Sequence, residues 1–256
     1  MDPGHLHLDE RLIESGCVYC GCSLVDAAEL ERLRLEGPES EIEDALSRQR
    51  TRDHVPSRAF LDEPFPPNLP VVGCCRACNN GFSLDEQYLA CLVECVVCGG
   101  VEPELFERAR VSHMLRGSVA LFERLSAAER RLEDGPAWEM EGERVRRIVL
   151  KLAKGHAAFE HQWHLPEPNT IAIAPLHAMR EDERAQFEQG DSGLRLLPEL
   201  GSMALRRTAL SAGTSQWVEV QHGRYRYTSA IYLNGFSVRL VIREYLACEV
   251  WWDEAL

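Results

Sequence analysis

Two Cys-x-x-Cys pairs, Cys17-Val-Tyr-Cys20 and Cys75-Arg-Ala-Cys78, limit the folds open to this chain more than any other feature. Two thiolates from one tight turn reach the same tetrahedral ion, and two such turns supply the four sulfurs of a closed, structural zinc site. Gly21 follows the first pair and Asn79 the second, both in turn-prone contexts. A Zn²⁺ ion on Cys17, Cys20, Cys75 and Cys78 would tie together the ends of a long excursion. It would also bring the stretch TRDHVPSR, Thr51 to Arg58, close to Asn79. Cys74 adjoins the second knuckle and is an alternative ligand to Cys75.

The chain has 256 residues, enough to bury a sizeable core without cross-links. Its first twenty residues carry Asp2, Asp9, Glu10, Arg11 and Glu14 and no long apolar run, so no signal peptide or membrane anchor is expected and the cytoplasm is the expected compartment. In a reducing compartment, clustered cysteines are metal ligands or buried thiols rather than disulfides. Cys91, Cys95 and Cys98 recur at i, i+4 and i+7 of an apolar helical stretch and read as core fillers rather than a second metal site. Cys22 and Cys248 have no evident partner. The net charge of −13 argues against broad, nonspecific adhesion to nucleic acid, so any binding must use a local patch. Arg48, Arg50, Arg52, Arg58 and Arg76 supply one such patch. Arg144, Arg146, Arg147, Lys151 and Lys154 form a second cluster that reads as a solvated face.

The periodicities predict an α+β chain. Residues 1–100 read as one unit with an acidic helical insertion at about 23–50, interrupted by Gly37-Pro38. Prolines 56, 64, 66, 67 and 70 impose a looping path. A helix is expected from Asn79 onward, with Asp85 and Glu86 suited to its first turn. Residues 101–256 read as an accessory α+β unit, with helices over 101–164 and a mainly antiparallel sheet over 168–253 whose turns fall at His222-Gly223 and Asn234-Gly235.

The order Cys17-x-x-Cys20, Asp53-His54-Val55-Pro56, Asn68-Leu-Pro-Val-Val, Cys75-x-x-Cys78-Asn79 resembles the zinc-stapled form of the HNH endonucleases, built on the ββα-metal fold. The resemblance covers roughly residues 16–94, and the acidic segment before Arg52 is longer than the family's usual first hairpin. It implies that His54 is the general base that takes a proton from water, a task suited to imidazole with its ordinary pKa of about 6.5. It implies that Asp53 and Asn79 hold one hard divalent cation, Mg²⁺ or Mn²⁺, through oxygen. Asn68 takes the place of the residue that tethers the loop bearing the base.

Read from the residues alone, Asp53 and His54 are neighbours in an extended segment and point to opposite sides. They cannot both reach one atom, but they can flank a phosphate, one at the cation and one at the water. Standing alone, the stretch would read as a capping Asp and an ordinary loop histidine. Asn80, Ser83 and Glu86 lie nearby. Glu86 shares the Asn79 helix face and is either an additional metal or water ligand or a partner of the helix N-terminus. Arg58 and Arg76 are candidate phosphate contacts. His156, His161 and His164 flank a helix end and read as favourable C-terminal cations rather than as a metal cluster. The expected function is an endonuclease acting on nucleic acid, DNA more than RNA, in a bacterial defence or toxin setting by analogy. The alternative is a noncatalytic zinc module that binds nucleic acid or a protein. A homodimer or a regulatory protein partner is compatible with either, and no membrane is expected.

Overall fold

The insertion forms two short helices, of which only the first has a side-chain cap. Asp26 accepts the Glu29 amide at 2.8 Å and starts α1 (Ala27–Glu36), and Gly37-Pro38 separates it from α2 (Glu39–Ser47). Val25, Leu30 and Ala45 form a small core of their own beneath the two helices. The computed structural model, which describes residues 16–133, 135–189, 217–232 and 234–253, then runs into strand β1 (Arg50–His54). The proline-rich excursion returns as β2 (Val71–Cys75), paired antiparallel with β1 so that Asp53 faces Val72 and His54 faces Val71.

Helix α3 (Arg76–Cys98) follows β2 directly. It starts earlier than the acidic residues suggest, because Cys75 is its N-cap and accepts the Cys78 amide on sulfur at 3.3 Å. Asp85 and Glu86 therefore lie well inside the helix, not in its first turn. Gly99 ends it in the left-handed conformation, at φ +73°.

Two short helices follow, α4 (Ala109–Arg116) and α5 (Val119–Ala128), the second capped by Ser118. A hairpin of β3 (Glu129–Leu132) and β4 (Gly135–Trp138) then leads to α6 (Gly142–His161). This hairpin escapes periodicity because its first strand is mostly polar and exposed. Along α6, every residue from Lys151 to His161 is buried. Such burial needs neighbours on all sides, and they are β1 and β2, α3, and the carboxy-terminal sheet.

That sheet has the order β5 (Thr170–Pro175), β9 (Leu246–Asp253), β8 (Gly235–Ile242), β7 (Tyr225–Tyr232), β6 (Val218–Gln221), with every pairing antiparallel. All residues of β8 are buried, since α6 covers one face and α7 (Glu181–Gln189) packs near the other through Phe187 on Val241 and Ala247. Arg239 in the middle of β8 is tolerated because Glu249 of β9 takes its Nε at 2.6 Å. One apolar core runs from Phe60 and Leu89 through Ile148 and Leu152 to Tyr225 and Trp252, continuous across residue 100. Each such side chain contributes about 1.5–3 kcal/mol of burial. Among the described residues no helix is long and apolar enough to cross a membrane.

Candidate active site and metal centre

Gly16 and Gly21, at φ +105° and +73°, fold the first knuckle into a loop closed by Cys17 N–H donating to Cys22 O at 2.9 Å and Gly21 N–H to Cys17 O at 2.8 Å. That closure turns Cys22 back toward the knuckle. The sulfurs of Cys17, Cys20, Cys22 and Cys75 lie within 4.8 Å of one another and could hold a metal ion. The expectation that Cys22 lacks a partner is corrected. Cys20 Sγ and Cys75 Sγ are 3.8 Å apart, and the Cys78 thiol is hydrogen-bonded to the Cys17 sulfur. Cys22 thus stands in this set in the place that the two-residue spacing assigns to Cys78, whose thiol lies beside it. Cys74 points to the other face of β2, against Thr51 Oγ1 at 3.1 Å, so Cys75 is the member that joins the cluster.

The thiols also show how the cluster carries charge. The Cys78 thiol, above all, draws the Cys17 pKa down to about 4, against the opposing effect of burial. Cys78 is pushed up by its hydrogen bond to Cys17 and then by burial, while burial is the main cause for Cys22 and Cys75.

Tyr19 lies inside the first knuckle and links this centre to β1. Its hydroxyl donates to Asp53 Oδ2 at 2.7 Å, and its ring meets Phe82 of α3 edge-on at 5.1 Å. Burial, and then the Asp53 charge, hold the Tyr19 phenol protonated. Asp53 is buried and also takes Lys151 Nζ at 2.7 Å. Lys151 in turn bonds Glu86, whose pKa is raised by burial against the pull of Lys151, and Ser57 donates to Glu86. Burial works against the Lys151 ammonium, but the Asp53 and Glu86 carboxylates outweigh it and keep its pKa above the ordinary value. Glu86 is therefore engaged by a cation of α6, not by the start of its own helix. Asn79, on the same face of α3, donates Nδ2 to Thr51 Oγ1 at 3.3 Å and to Arg52 O at 3.5 Å. Thr51 and Asp53 share the inner side of β1, so Asn79 and Asp53 both face the wedge between strand and helix.

No family model, curated protein or solved structure matches this chain.

The outer side of β1 carries Arg50 and Arg52, both exposed, and the half-buried His54. Strand alternation thus separates His54 from Asp53, as two adjacent extended residues require. Arg58 and Arg76 are exposed as well; Arg58 lies over the Phe65 ring at 5.0 Å and Arg76 bonds Gln49 at 3.3 Å. Asn68 is exposed, and no hydrogen bond of its side chain occurs among the described residues. The loop after His54 is tied instead by Val55 N–H donating to Pro70 O at 2.8 Å and by buried Arg108, which holds the carbonyls of Ala59 and Leu61 at 3.0 Å each.

The second basic cluster is a solvated face only in part: Arg146 and Arg147 are exposed, and the other members are not. Arg144 and Arg147 both grip Asp85 at 2.8 Å, Lys154 bonds Glu167 at 3.0 Å, and Lys151 and Lys154 are buried. Positions 144, 147, 151 and 154 recur at helical spacing, and that period was the available signal. Among the three histidines, His156 stacks on Tyr227 at 3.6 Å and bonds Tyr225 at 2.8 Å, and burial lowers the His161 pKa to about 4. His161 is thus neutral and cannot act as a helix-end cation. Cys91 and Cys95 are buried thiols of the core, Cys91 pushed up to about 12 by burial. Tyr19, Lys151 and Cys22 are the members of the site that sequence reasoning missed.

Proposed function

We propose that this chain hydrolyses phosphodiester bonds of nucleic acid, DNA in preference to RNA, at the carboxy-terminal end of β1, beside α3. The observation that carries this proposal is that Asp53 of β1 and Asn79 of α3, two elements tied by Asn79 to Thr51 and Arg52, face the same inner side of β1 while His54 ends that strand on its outer side. The donor set fits a hard divalent cation. With Asn79 Nδ2 turned to Thr51 and Arg52 O, its amide oxygen is the free acceptor, and Asp53 offers carboxylate oxygen. When bound by Asp53 and Asn79, Mg²⁺ or Mn²⁺ supplies positive charge to the scissile phosphate and the departing oxygen.

The chain's own residues do the rest. His54 takes the proton from the attacking water, a role that contributes about 10²–10⁴-fold. Arg50 and Arg52 flank it on the exposed side of β1 and meet phosphate oxygens, so a basic strip survives within a chain of net charge −13. Arg58 and Arg76 extend that strip. Zn²⁺ on the thiols fixes the first knuckle, and with it Tyr19, against Asp53.

One observation favours the noncatalytic alternative, a zinc module that binds nucleic acid or a protein: the Asp53 carboxylate already holds both Tyr19 and Lys151. Incubating the zinc-loaded chain with single- and double-stranded DNA and RNA, in Mg²⁺, Mn²⁺ or EDTA, separates the two. Cleavage that requires Mg²⁺ or Mn²⁺ supports the nuclease; retained zinc and substrate binding without cleavage of any substrate favours the binding module.

A further inference from the structure

Lys151 belongs to none of the motifs behind the proposed activity, yet its ammonium lies among them. Nζ is 2.7 Å from Asp53 Oδ2 and in contact with Glu86 Oε1, and the side chain is 2% exposed. Tyr19 donates to the same Asp53 oxygen at 2.7 Å, and the rings of Tyr19 and Phe82 flank the ammonium at 5.8 and 5.6 Å. Two carboxylates and one ammonium leave one net negative charge where solvent hardly reaches. Buried carboxylates this close require a counter-charge, and the protein supplies its own.

We propose that Lys151 is the built-in counter-ion of the Asp53–Glu86 pair and sets how tightly a divalent cation binds at Asp53. It is a positioning residue delivered by α6, from outside the hairpin–helix unit, and the proposal rests on Asp53 being a cation ligand. With the ammonium in place, an incoming divalent cation meets a single net negative charge and a fixed positive neighbour. Without it, two carboxylates face each other, and a divalent cation is the ligand that neutralises both. Lys151 thus holds the pair together in the absence of the cation and weakens cation binding in exchange.

Electron paramagnetic resonance of free Mn²⁺, titrated with the zinc-loaded full chain, tests this. Lys151→Met is expected to bind Mn²⁺ at least tenfold more tightly than wild type, and Mn²⁺ is expected to raise its Tm more than it raises the wild-type Tm. Adding Glu86→Gln to Lys151→Met should cancel the gain. Equal or weaker Mn²⁺ binding by Lys151→Met overturns the proposal. Should Lys151→Met not fold, Glu86→Gln alone, which keeps the ammonium and a hydrogen-bonding partner, is expected to weaken Mn²⁺ binding at least tenfold, and unchanged affinity overturns the proposal. Failure of the proposed function has a different signature. Mn²⁺ binding indifferent to Asp53→Asn in both backgrounds removes the cation site itself. Binding lost in Asp53→Asn but unmoved by Lys151→Met removes the role of Lys151 alone.

Discussion

Cys20 Sγ and Cys75 Sγ, on opposite sides of the long insertion and the proline-rich excursion, lie 3.8 Å apart. For a Zn–S bond of about 2.3 Å, the sulfur–sulfur edge of a tetrahedron is about 3.8 Å. This one edge matches that spacing, and the four sulfurs as a set could hold a metal ion. Elemental analysis should find one zinc per chain, lost in Cys17→Ser and in Cys75→Ser. Cys22 and Cys78 compete for the fourth place, so one of the two single serine variants should keep zinc and the double variant should lose it. Retention of zinc by the double variant would refute a four-sulfur site.

Gly155 of α6 lies where an added Cβ would be 3.0 Å from Val55 Cγ2, beside His54. Gly155→Ala gains about 1 kcal/mol in helix propensity but must shift Val55. The expected result is a Tm within a few degrees of wild type and a cleavage rate at least tenfold lower. A rate equal to wild type would show that the Val55 position does not matter to the base.

Arg108 is 2% exposed, and its guanidinium spans Asp62 Oδ1 at 2.7 Å and the carbonyls of Ala59 and Leu61. Burial alone would raise the Asp62 pKa; Arg108, then Arg224, outweigh it and hold that carboxyl below the usual range. Arg108→Met strands two buried carbonyls and breaks the pair, at a cost of about 3–5 kcal/mol. For a chain of this size that corresponds to a fall in Tm of roughly 10 °C, measurable by calorimetry.

His161 gives a pH signature. Its pKa is lowered by burial to about 4, against 6.5 unfolded, so the unfolded chain binds more protons between those values and stability falls as pH falls through that window. The loss from this one group approaches about 3 kcal/mol near pH 4. Denaturant titrations of wild type and His161→Gln should differ in slope between pH 6.5 and 4, the wild type losing stability that the variant, lacking this component, does not lose. Parallel profiles would show that His161 is not the titrating group.

The knuckle cysteines were legible because a two-residue spacing reports a turn whatever surrounds it, and the Asp53/His54 split was legible because strand alternation is local. The sheet strands and their turns were legible for the same reason. Lys151 and Tyr19 were not, since their roles come from α6 and the first knuckle packing on β1, a tertiary event with no local pattern. Glu86 was misplaced because Cys75, a metal-ligand residue by its spacing, also acts as the cap that starts α3 early. His156 and His161 of α6 looked like helix-end charges until burial under the sheet decided otherwise, while His164 lies beyond the helix and is exposed. The cysteine cluster was readable, whereas the Lys151 counter-charge beside buried Asp53 was not.

The most direct measurement is the Mg²⁺-dependent nicking rate of supercoiled plasmid by wild type and His54→Ala, both carrying zinc. Wild type is expected to nick, with a rate lower by about 10²-fold or more in His54→Ala and no activity in EDTA. Equal rates for the two proteins would contradict His54 as the base and, with it, the active site proposed at the end of β1.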